Sequence, residues 1–138
     1  MAPAASSTAQ GSFEVKTAPL PPDDATAATS IGRYSLDKVY RGDLEAASAG
    51  EMLGAGNPAG GTAGYVAIEQ VTGTLHGKSG SFALQHFGSM HAGAFEMNVR
   101  VVPGSGTGDL EGIAGTLAIV MDGGKHSYTL EYTLPAEA

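Results

Sequence analysis

The sequence predicts an all-β sandwich or barrel of six to eight strands. Three observations carry this. Apolar and polar residues alternate with period 2 in several separate stretches, most clearly in the C-terminal half. Glycine occurs 21 times in 138 residues, about twice its usual share and without a collagen period, which points to many tight turns. No stretch shows a convincing long helix, and Gly-rich turns separate the alternating runs.

Met1–Gln10 is made of Met, Ala, Ser, Thr and Pro with one Gln, and is expected to form a flexible N-terminal tail. It carries neither a charged n-region nor an apolar h-region, so no secretory signal is expected and the chain is assigned to the cytoplasm. Residues 11–135 are expected to form one β-barrel domain. Phe13 and Val15 alternate with Glu14 and Lys16 and start the first strand. Residues 18–30, with Pro19, Pro21, Pro22, Asp23 and Asp24, read as a loop. From Ile31 to Arg41, Tyr34, Leu36 and Tyr40 share one parity with Lys38, and Arg41-Gly42-Asp43 marks a turn. Leu44–Leu53 is ambiguous: its Ala, Glu, Leu and Met favour helix, whereas the preceding turn favours a hairpin. Gly54–Gly64 reads as a loop. Strands are expected over Tyr65–Leu75, Gly80–Gly88, Ala94–Val102, Gly115–Met121 and Ser127–Leu134. Phe95, Met97, Val99 and Val101 line one face, as do Tyr128, Leu130, Tyr132 and Leu134.

Charge and composition exclude several functions. Seven Lys and Arg against 14 Asp and Glu give a net charge of −7. Nucleic-acid binding needs clustered cations, as does an anionic membrane surface, so neither partner is expected. No run approaches the roughly 20 apolar residues of a membrane-spanning helix. There is no Cys, which removes disulfides, thiolate metal sites and cysteine nucleophiles.

The hairpin Tyr65–Gly88 holds the candidate chemistry. Its turn is His76-Gly77 or the four residues His76–Ser79, and both lengths are even. Glu69 therefore faces Leu84 in one register and His86 in the other. Tyr65, Glu69, Phe82, Leu84 and His86 share a face in both. If that face is interior, a carboxylate and an imidazole meet in an apolar shell and can move a proton near neutral pH. With the opposite parity, Val66, Ile68 and Gln70 point inward and Glu69 meets solvent.

Other motifs carry less. His76, His86, His91 and His126 have no i, i+2 pair and no i, i+4 pair in a helix, so no metal site is expected. His76 and His126 are placed on turns. Gly104-Ser105-Gly106-Thr107-Gly108 suggests a phosphate loop, but Asp109 stands where a third Gly is needed, and the Lys-Ser/Thr of a P-loop is missing. It reads as a glycine turn. No Gly-x-Ser-x-Gly elbow exists for a hydrolase. Tyr65, Tyr128 and Tyr132 supply either ordinary core packing or an apolar wall with hydroxyls that orient a ligand.

Two long runs carry a family resemblance. Val71–His86 (VTGTLHGKSGSFALQH) and Val101–Gly115 (VVPGSGTGDLEGIAG) resemble the two signatures of a bacterial family catalogued as domain of unknown function 3224. Gly11–Val15 and Tyr128–Tyr132 fit its start and end. The second run is also similar to one in plant allene oxide cyclases and dirigent proteins. That likeness implies a closed antiparallel barrel of about eight strands with little or no helix and a hydrophobic cavity. It also implies a homodimer or homotrimer, since related barrels form both.

The function expected is binding of a small hydrophobic molecule in the interior, without a cofactor. In one form the protein is an isomerase or cyclase that shapes its substrate. Glu69 and His86 then act as the catalytic pair, and Tyr65, Phe82, Leu84, Phe95, Met97, Tyr128 and Tyr132 line the site. That form expects Glu69→Gln to remove turnover with stability nearly unchanged. The alternatives are a non-catalytic carrier of a hydrophobic ligand and a structural or oligomerisation module.

Overall fold

Strand pairing satisfies most of the backbone, and the period-2 pattern decides which side chains turn inward. A computed structural model describes residues 6–135. The strands are β1 (Ser6–Leu20), β2 (Gly32–Gly42), β3 (Leu44–Asn57), β4 (Thr62–Leu75), β5 (Lys78–His91), β6 (Ala94–Val101), β7 (Thr107–Gly108), β8 (Ala114–Asp122) and β9 (Lys125–Thr133). They form one antiparallel sheet in the order β4-β3-β2-β1-β9-β8-β6-β5, and β4 also pairs with β5. The sheet thus closes into an eight-stranded barrel, with the two-residue β7 added beside β5. A single 3-10 turn at Pro58–Gly60 is the only helical element among the described residues. No helix there is long and apolar enough to cross a membrane.

Several expectations change. Ser6–Gln10, expected in a tail, pair with Thr129–Thr133 of β9 as the start of β1, and Ala9 is fully buried. Residues 1–5 lie outside the described residues. β1 also runs on to Leu20, past the expected loop boundary at residue 18. Leu44–Leu53 is strand, and β3 continues to Asn57, so most of the expected 54–64 loop is ladder. Its helix-favouring composition is overridden because β2 and β4 pair with it on both sides. Small inward residues suit that crowded position. A Cβ on Gly50 would run into the Ile68 carbonyl oxygen and sit 2.7 Å from Glu69 Cα. His126 lies within β9 and packs on Phe13 with ring centroids 5.1 Å apart, so it is not a turn residue.

The hairpin register resolves to the two-residue turn. Leu75 pairs with Lys78 and Glu69 with Leu84. His76 and Gly77 have φ of 47° and 79°, the left-handed pair that a tight hairpin turn needs.

One end of the barrel is closed. The connection from Val102 to Ile113 is held along β5, where Asp109 N donates to Ser79 O at 2.8 Å, and its Leu110 and Ile113 are buried in the core cluster that also holds Leu44 and Leu75. Ser105 Oγ accepts from Ala83 N at 3.0 Å and donates to Val102 O at 2.6 Å, which fixes the glycine turn in a structural role. The hairpin loops β1–β2, β3–β4 and β5–β6 ring the other end.

Candidate functional site

Midway along the barrel, three strands send polar groups to one point. Glu69 of β4 is fully buried. Its Oε2 lies 2.8 Å from Lys38 Nζ of β2 and 2.6 Å from His86 Nε2 of β5. Its Oε1 accepts a hydrogen bond from the Tyr40 hydroxyl. Lys38 and His86 are buried too, with Lys38 Nζ 4.8 Å from the Phe13 ring centroid. The ammonium therefore meets a carboxylate on one side and an aromatic face on another.

Burial by itself would raise the Glu69 pKa. The hydrogen bond from His86 and the charge of Lys38 outweigh it and hold the carboxyl ionised, at about 2. An ionised carboxylate only accepts, so His86 Nε2 carries the hydrogen in this contact. The Tyr40 phenol is pushed far above its ordinary range, first by burial and then by the Glu69 charge. Both carboxylate oxygens are thus occupied, and the group has little affinity for a further proton.

Above this layer, at the open end, lies a cavity of about 290 Å³. Tyr34, Met52, Tyr65, Met90 and Phe95 supply most of its side-chain wall, with glycines between them. Tyr65 sits four residues before Glu69 on the same face. Its phenol is raised by burial and by the Glu69 charge, so the charged layer is felt at the cavity floor. Among the described residues, neither the Tyr34 nor the Tyr65 hydroxyl is hydrogen-bonded to protein.

The residues expected at the site separate into groups. Glu69 and His86 meet. Tyr65 and Phe95 line the cavity. Phe82 and Leu84 are core residues with no surface, and Met97 is partly buried against that core. Tyr128 and Tyr132 belong to the closed end. The Tyr128 hydroxyl accepts from Leu44 N at 2.9 Å and faces the Arg41 and Leu44 carbonyls, while that of Tyr132 pairs with His76 Nδ1. Lys38, Tyr40, Tyr34, Met52 and Met90 were not among the expected site residues. Lys38 had a visible signal: it shares the core-facing parity of Tyr34, Leu36 and Tyr40. No cluster of three or more His, Asp or Glu suited to a metal ion occurs among the described residues.

Residues 9–132 match the family described as protein of unknown function, DUF3224. The chain belongs to the DUF3224 family. A solved structure from the same family, a protein of unknown function from Shewanella oneidensis MR-1, is 44% identical. The match covers 96% of this chain and 100% of that one, with a TM-score of 0.86. Comparison with curated proteins finds no match. The matched residues 9–132 include Lys38, Glu69 and His86.

Proposed function

We propose that this DUF3224 barrel binds a small hydrophobic molecule at its open end, without chemistry at Glu69. The observation that carries the reading is the cavity itself. It is apolar, it opens at the barrel mouth, and its two tyrosine hydroxyls have no protein partner among the described residues. That is the usual make-up of a small-molecule site: an apolar wall with a few polar groups to orient the guest. About 290 Å³ suits a small ligand.

The isomerase or cyclase form is less well supported. A general base must accept a proton, and Glu69 is already satisfied by Lys38, His86 and Tyr40. Its better-supported role is to hold β2, β4 and β5 in place beneath the cavity floor.

Titration with 1-aminoanthracene, whose fluorescence rises in apolar surroundings, tests the reading. Gly54→Leu is the informative variant. A Cβ at Gly54 finds no atom nearer than 3.6 Å, and the added side chain enters the cavity beside the Tyr34 ring. Saturable one-to-one binding that Gly54→Leu weakens tenfold or more is expected. Equal binding by a Gly54→Leu protein of unchanged melting temperature, or no saturable binding by the wild type, overturns it.

A further inference from the structure

The outer face of β3–β4–β5–β6 departs from the polar exterior expected of a barrel. Leu53 is 40% exposed, Val66 53%, Ile68 60% and Phe87 55%. The strand registers place them in two adjacent rows. One reads Leu53, Val66, Phe87, Asn98 across the four strands. The next reads Glu51, Ile68, Gln85, Arg100. All these residues point outward, and the first three strands form the floor of a groove of about 560 Å³. A contiguous exposed apolar patch of this kind marks an interaction surface.

The second row identifies the partner by its charges. It begins with an acid and ends with a base, with an apolar and a neutral polar residue between. A two-fold axis parallel to the strands, running between β4 and β5, reverses the row and lays it on itself. Glu51 of each copy then meets Arg100 of the other, and Val66 of each meets Phe87 of the other. An axis across the strands along this row would instead set Glu51 on Glu51 and Arg100 on Arg100, and one between the rows would leave both charges against Leu53 and Asn98, so only the first orientation pairs opposite charges. An isologous interface requires this self-complementarity. We propose that this face is a homodimer interface whose two-fold axis runs along β4 and β5.

The charges also make a specific test, because a homodimer carries any swap on both sides. Arg33 pairs with Glu51 at 2.7 Å within the chain, but both side chains are partly exposed and that pair contributes little to stability. Sedimentation velocity of the full chain is expected to show a species of twice the chain mass. Phe87→Glu should convert it to monomer with the melting temperature of the diluted wild type. Glu51→Arg and Arg100→Glu should each weaken the dimer tenfold or more. The double variant Glu51→Arg/Arg100→Glu should recover most of the affinity. A wild type that stays monomeric at millimolar concentration overturns the proposal. So does a dimer or trimer that survives Phe87→Glu, or a double reversal no better than the singles. Binding of 1-aminoanthracene at the barrel mouth uses none of these residues, so the two proposals fail separately.

Discussion

At the end of the barrel closed by Leu110 and Ile113, the hydroxyls of Tyr128 and Tyr132 are tied to the Leu44 amide and to His76. At the opposite end the hydroxyls of Tyr34 and Tyr65 meet no protein group among the described residues, and the rings border empty space. The same residue type does two jobs. Where side chains fill the interior, a tyrosine must bring its hydroxyl to a partner, because a buried unpaired polar group is costly. Where small residues such as Gly54 leave space, the hydroxyl is free for a guest. Between the ends, Lys38, Glu69 and His86 join three strands and divide packed core from cavity.

The largest expected effect is at this divider. Glu69→Gln removes one partner of a buried ion pair and leaves Lys38 uncompensated. We expect a loss of about 3–5 kcal/mol in urea unfolding. This replaces the expectation of nearly unchanged stability, which did not include Lys38. The double variant Lys38→Met/Glu69→Leu removes both charges and should recover part of that loss, with the Tyr40 hydroxyl and His86 Nε2 left without their acceptor. Next come the tyrosines. Tyr128→Phe leaves the buried Leu44 amide without its partner and should cost about 1–3 kcal/mol. Tyr65→Phe breaks no protein hydrogen bond and should change stability by less than about 0.5 kcal/mol. Equal losses at the two positions would erase the distinction between the ends.

The pH dependence follows from the depressed Glu69 pKa. A carboxyl lowered from 4.5 to about 2 contributes stability that is complete above 4.5. That contribution disappears as pH falls from 4.5 towards 2. Urea midpoints measured at pH 7, 4 and 2.5 should decline over the lower two values. The decline should be shallower in Glu69→Gln, which has no carboxyl to protonate. The smallest effect is expected from Tyr34→Phe, which should leave unfolding unchanged and alter only which guests the cavity prefers.

What could be read before folding was local. The even-length turn at His76-Gly77 fixed the parity that brings Glu69 and His86 together, because a hairpin transmits its register along both strands. The final strand, with Tyr128, Leu130 and Tyr132 inward, was equally plain. β3 was not, because the ladders on its two sides outweigh a composition that favours helix. The third member of the charged layer was visible only as a lysine on an apolar parity. The cavity was expected through the resemblance, with Tyr65 and Phe95 in its wall, but its place at one end of the barrel could not be read. It depends on Gly54 of β3, Tyr65 of β4 and Phe95 of β6 lying around one opening, which strand order and closure decide.

The most direct test of the two-ended barrel is a methyl NMR titration with 1-aminoanthracene. The account predicts that the Met52 and Met90 methyls shift in a saturable manner while those of Leu44, Leu75 and Leu130 stay in place. Shifts centred on the three leucines, or spread evenly over both ends, would contradict it.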